Sequence, residues 1–129
     1  MQKYELKQSS KSPNIILDPI KGEMFLGGRS IPDNALDLFG PMLDWATKYV
    51  DEPQKITRIT FNFEYYNTAS SKSILEFLLI MNELQKKNCE VKVFWHYKED
   101  DDDMYEEGEV YADIVNIPFE FIEMPSNPA

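Results

Sequence analysis

From residue 13 onward, short apolar runs alternate with longer stretches of helical spacing. Ile15, Ile16 and Leu17 form the first run, Asp18-Pro19 and Lys21-Gly22 make a turn, and Met24, Phe25 and Leu26 follow. Two apolar runs about a turn predict a β-hairpin. Gly27-Gly28 then permits a bend, and Ser30 to Asn34 holds residue types that open helices. Leu36, Phe39, Leu43, Ala46 and Val50 recur at helical spacing, with Trp45 and Tyr49 widening the stripe, so an amphipathic helix is expected. Pro41 lies inside it and predicts a kink or a restart, because proline has no N–H and crowds the carbonyl of Asp37.

Ile56 to Phe63 alternates instead, which puts Ile59, Phe61 and Phe63 on one face of a strand that Tyr65 and Tyr66 extend. Asn67 to Ser71 breaks the pattern with a cluster of helix-capping types. The helix that follows runs to about Lys87 and is apolar on more than one side, so it must be buried from two directions or face a partner. Val91, Val93, Phe94 and Trp95 form the next strand, a helix is expected over roughly 104 to 115, and Phe119 to Glu123 closes the pattern as a strand. A hairpin followed by alternating helices and strands predicts an α/β fold: a mixed sheet of about five strands, with parallel, right-handed crossovers and helices packed on it. The organisation expected is one domain over residues 13–124, a flexible N-terminal arm over 1–12 and a loose C-terminal tail over 125–129.

Composition narrows the function. At 129 residues and 43% hydrophobic, the chain can build one core. The net charge of −10 argues against nucleic acid and against an anionic membrane surface as partners. The charge is local: Glu99 to Glu109 holds eight acids and no base, leaving 13 basic and 15 acidic residues elsewhere. Five consecutive acids repel one another, so a solvated loop that steers a basic partner is expected there, and their spacing fits no calcium loop. Cys89 is the only cysteine and His96 the only histidine, which leaves no thiolate or histidine cluster for a metal. The arm is polar and carries Lys3, Lys7 and Lys11 without a signal-type apolar run, pointing to a cytoplasmic protein. No glycine-rich phosphate loop or dinucleotide fingerprint is present, and no cofactor is implied.

The strand-to-helix junction after Tyr66 is the informative place. Thr68, Ser70 and Ser71 bring three hydroxyls to the start of a helix, where unsatisfied N–H groups carry partial positive charge. A phosphate on one of them could meet those groups and Lys72. Equally, one hydroxyl could cap the helix, with Ser70 and Ser71 the expected caps, Asn67 shaping the turn and the rest filling it. Trp95-His96-Tyr97 at a strand end combines apolar area with polar handles, the make-up of a partner-binding surface, and Tyr66 adjoins the hydroxyls in the same way.

Gly27-Gly28-Arg29-Ser30-Ile31-Pro32-Asp33-Asn34, then Leu38-Phe39-Gly40 and Asp44-Trp45, resemble the N-terminal signature of the SiaC family of bacterial regulatory phosphoproteins. Tyr66-Asn67-Thr68-Ala69-Ser70-Ser71-Lys72 and Trp95-His96-Tyr97 continue the likeness, which spans about residues 13 to 123. It departs at Ile31, where the family often has an aromatic, at Asp33 for glutamate and at Pro41. The resemblance implies a STAS-like sandwich of the kind found in anti-sigma-factor antagonists, and no catalytic activity. It implies a protein switched by a serine/threonine kinase and a PP2C-type phosphatase, with the phosphate on Thr68. It further implies that the unphosphorylated form binds and activates a diguanylate cyclase, raising cyclic di-GMP and promoting biofilm growth. Two readings of other classes stand beside it: a small enzyme with a site around His96, Glu64 and Asp100, and an unswitched protein-interaction adaptor.

Overall fold

The computed structural model describes residues 1–126, so Asn127, Pro128 and Ala129 of the expected tail lie outside the described residues. The elements are β1 (Tyr4–Leu6), β2 (Asn14–Asp18), β3 (Glu23–Ser30), α1 (Ala35–Asp51), β4 (Ile56–Tyr66), α2 (Thr68–Asn82), a short 3-10 helix (Glu83–Lys87), β5 (Glu90–Lys98), α3 (Asp102–Ile114) and β6 (Phe119–Met124). The strands form one mixed sheet in the order β1-β2-β3-β4-β5-β6. The first three are antiparallel, and β3 through β6 are parallel. The expected α/β fold, with its hairpin and parallel crossovers, is therefore the fold found, with six strands instead of five.

The sixth strand comes from the arm. Tyr4 pairs with Leu17 and Leu6 with Ile15, and Trp45 Nε1 donates to the Gln2 carbonyl at 2.8 Å. Residues 1–12 are thus not loose throughout: their first half is held against the sheet edge. β3 also runs further than its apolar run suggests, through Gly27 and Gly28 to Ser30, with a bulge between Gly28 and Arg29. Gly28 takes φ +86°, which a side chain would resist, so the two glycines serve a bulge rather than a bend. Ser30 consequently ends a strand, and the cap of α1 is Asn34, whose side chain accepts the Asp37 N–H at 3.2 Å. α1 continues through Pro41 as one helix, and Pro41 is exposed.

One face of the sheet is the core. Leu17, Met24, Ile59, Val93 and Phe119 lie side by side in register, and so do Ile15, Leu26, Phe61, Trp95 and Phe121. The first four of each row are buried under α1, α2 and α3. Sequential right-handed crossovers put all three helices on that one side. The opposite face carries Ile16, Phe25, Thr60, Phe94 and Glu120 in register and is only partly covered. The acidic stretch, expected as a solvated loop, is mostly helix: Asp101 caps α3 by accepting the Met104 N–H at 3.0 Å, and Asp102 and Asp103 lie in its first turn. Carboxylates there meet the positive end of the helix, which offsets their mutual repulsion.

Candidate functional site

The site forms where β4 passes directly into α2. The Asn67 N–H donates to the Ser30 carbonyl at 2.9 Å, holding the junction against the end of β3. The Asn67 side chain then accepts the Ser70 N–H at 2.9 Å, and its carbonyl accepts the Ser71 N–H at 3.0 Å. Asn67 is therefore the helix cap, not Ser70 or Ser71. The N–H groups of Thr68 and Ala69 are left pointing out of the helix start.

The three hydroxyls have three different fates. Ser70 is fully buried, donates to the Ser30 carbonyl at 3.2 Å and lies 2.8 Å from the Ser30 hydroxyl. Ser70 has one proton, so the Ser30 hydroxyl must be the donor in that contact. Ser71 turns back and donates to the Thr68 carbonyl at 2.6 Å. Thr68 alone is exposed with no hydrogen bond to its hydroxyl among the described residues. Lys72 is exposed one turn further along α2.

Two open grooves flank this start of α2. One, of about 520 Å³, lies toward α1 and is lined by Asn34, Leu36, Thr68, Lys72, Ser73 and Glu76. Leu36 is 76% exposed there. The other lies toward α3 and includes Ser71, Lys72, Glu107 and Tyr111. Lys72 lines both. The Tyr111 hydroxyl donates to the Ser71 carbonyl at 3.0 Å, tying α3 to the first turn of α2. Burial pushes the Tyr111 phenol up to about 12. Burial raises Tyr66 as well, helped by the nearby Tyr111 hydroxyl and the Glu107 carboxylate, and its own hydroxyl has no partner of good geometry. Both phenols stay neutral at physiological pH.

The residues expected on a partner-binding surface divide. Trp95 is buried, with Nε1 donating to the Met104 carbonyl at 2.9 Å and its ring packed against Phe61 and Tyr111. Tyr66 is buried too, its ring edge-on to Phe63. Neither offers side-chain surface to a partner: alternation along β5 turns Trp95 toward the helices, and the register shift after Phe63, which leaves Glu64 unpaired, turns Tyr66 the same way. Tyr97 is half-buried beside Tyr105 of α3, with ring centroids 4.9 Å apart. His96 points to the other face of the sheet, is half-buried, and has an Nδ1 that is buried without a partner. Burial holds its pKa below the usual histidine value. Glu64 lies 3.5 Å from Arg29 as an ion pair. No group of three or more His, Cys, Asp or Glu side chains is placed to hold a metal among the described residues. No helix there is long and apolar enough to cross a membrane. Ser30, Asn34 and Tyr111 complete the site; Ser30 and Asn34 lie in the Gly27 to Asn34 run that resembles the family signature, but nothing in that run tied them to the hydroxyls at the junction, and Tyr111 carries no motif.

The sequence profile of the SiaC family regulatory phosphoproteins matches residues 6–124. An uncharacterised protein of Pseudomonas aeruginosa (strain UCBPP-PA14) is 25% identical over 119 residues, covering 92% of this chain and 94% of its own length. The crystal structure of apo-SiaC from Pseudomonas aeruginosa is similar with a TM-score of 0.85 and 25% identity, over 95% of this chain and 99% of that one. SiaC as it stands in a complex with the diguanylate cyclase SiaD, of which it is the activator, has a TM-score of 0.87 at 24% identity, over 94% of this chain and 99% of that one.

Proposed function

This chain belongs to the SiaC family of regulatory phosphoproteins, and from that premise we propose that it is a cytoplasmic binding switch worked by reversible phosphorylation of Thr68. A serine/threonine kinase places the phosphate, a PP2C-type phosphatase removes it, and the unmodified form binds and activates a diguanylate cyclase. The observation that carries this reading is the sorting of the hydroxyls. Ser70 is locked in the core and Ser71 is turned onto its own helix, so Thr68 is the one a kinase can reach. The helix start and Lys72 supply the electrostatic support a phosphate needs. SiaC of Pseudomonas aeruginosa is a cyclase activator with the same fold, which supports the effector part.

The switch works by covering a surface, with no catalysis by this chain. Thr68 and the exposed Leu36 share the groove toward α1. Unmodified, that groove presents apolar contact area and small polar groups. A phosphate adds about −1.5 to −2 charge and a hydration shell at its edge, which an apolar or acidic partner face cannot displace cheaply. His96 and Tyr97 keep accessible surface at the end of β5 and serve as further partner contacts.

Site mapping on protein isolated from its native host tests the reading, with Thr68→Ala, Ser70→Ala and Ser71→Ala compared. Phosphate on the wild type that disappears only with Thr68→Ala is the expected result. A diguanylate cyclase from the same organism should be activated by Thr68→Ala and by unmodified protein, and not by the phosphorylated form. Phosphate that persists in Thr68→Ala overturns the assignment.

A further inference from the structure

The flank of α2 that faces α3 is not needed for the chemistry of Thr68, yet it is built to hold something. α1 packs directly on α2, whereas α3 stands off and leaves a groove of about 530 Å³ lined by Leu75, Tyr111, Val110 and Ile114. Val110 and Ile114 are 56% and 49% exposed, and Leu79, one turn along from Leu75, is 45% exposed. Residues four apart stack along a helix, so Leu75–Leu79 and Val110–Ile114 form two apolar stripes. Both helices return between parallel strands, so the stripes run in the same direction. The rim is predominantly acidic. Asp103, Glu106 and Glu107 line it, none of them in an ion pair among the described residues, and Lys72 is the one cation of the lining.

We propose that this groove docks an amphipathic helix of a partner protein, its apolar stripe set between α2 and α3 and its lysines or arginines against Asp103, Glu106 and Glu107. Two helical ridges side by side fit a third helix laid between them. The acidic rim chooses its character, since nucleic acid, anionic lipid or an acidic helix would meet uncompensated carboxylates. Lys72 works against this occupant, and so sets a limit on its affinity. The docking goes beyond the Thr68 switch and does not require it.

Fluorescence anisotropy on the full-length, unphosphorylated protein tests the proposal with two labelled helical probes of about 18 residues. One is built of Leu and Lys with apolar positions at i, i+3, i+4 and i+7, the other of Leu and Glu in the same pattern. The Leu/Lys probe should bind with an affinity that falls as salt rises, and the Leu/Glu probe should not bind. Val110→Asn with Ile114→Asn should weaken binding about tenfold. Asp103→Asn with Glu106→Gln should flatten the salt dependence, and Lys72→Gln should tighten binding. All five positions are surface sites, and thermal melts establish that the variants remain folded. Ile20→Asn, 80% exposed in the β2–β3 turn, should change nothing. Failure of the Leu/Lys probe to bind, equal binding of both probes, or indifference to the Val110 and Ile114 substitutions overturns the proposal. Every arm uses unmodified protein, so the outcome is independent of whether Thr68 is the phosphorylated residue.

Discussion

At the residue scale, hydroxyls two positions apart do opposite things. Ser70 and Ser30 satisfy each other inside the core, so Ser70→Ala leaves the Ser30 hydroxyl buried without its partner. The expected loss of unfolding free energy is about 1–3 kcal/mol, read from denaturant melts. Thr68→Ala removes an exposed, unbonded hydroxyl and should move stability by no more than about 0.5 kcal/mol. A large loss for Thr68→Ala would mean that its hydroxyl is structural after all. His96 makes a prediction about pH. Burial depresses its pKa in the folded state, so the unfolded chain takes up the proton first as pH falls. Stability from keeping it neutral is complete above the unfolded value near 6.5 and is lost as pH drops toward the folded value. His96→Gln should flatten the fall in melting midpoint between pH 7.5 and pH 5.5, within about that window. An unchanged slope would show that Nδ1 finds a proton acceptor on that face.

At the scale of elements, α3 shows how a helix can be shaped by what it lies on. A side chain at Gly108 would place its Cβ 2.6 Å from the Trp95 ring and 2.8 Å from Phe121. Alanine is the better helix former by about 1 kcal/mol, but the clash outweighs this, and Gly108→Ala should destabilise by about 1–3 kcal/mol in thermal unfolding. A stabilised variant would mean that Trp95 has room to move. Nothing in the local pattern marks Gly108 as special, because its constraint comes from the side chains of the strands on either side of α3, Trp95 of β5 and Phe121 of β6. The same division runs through the rest. β4 and the middle of each helix were legible because burial on one face imprints a period on ten or more residues. β1 was not: Tyr4, Glu5 and Leu6 alternate over too short a span, and what holds them is pairing with β2. The end of β3 departs from its local pattern because Gly27-Gly28 and Ser30 have turn and cap chemistry, while the bulge that uses them is a property of two strands. At the candidate site, the cluster of capping residues located the junction and the family resemblance pointed to Thr68. Which hydroxyl is buried depends on Ser30, forty positions away, and no spacing reveals it.

At the scale of the whole molecule, the sheet has a layer of helices on one side and two unequal edges. β6 ends the sheet with Glu120 and Glu123, charges that discourage a further strand. The other edge is β1, three residues laid on a five-residue strand. Deleting residues 1–7 would uncover β2, with its apolar Ile15, Ile16 and Leu17, and free the Trp45 indole from Gln2. The shortened protein should keep its far-UV circular dichroism but self-associate, seen as a rising weight-average mass in sedimentation. A strictly monomeric product at high concentration would show that β1 is not an edge guard. The sequential strand order has a consequence in time. Every strand is hydrogen-bonded only to those that precede or follow it in the chain. During synthesis, each strand leaving the ribosome meets an acceptor edge already made. The sheet can therefore grow from its amino-terminal edge in step with translation, each parallel strand being added together with the helix that precedes it.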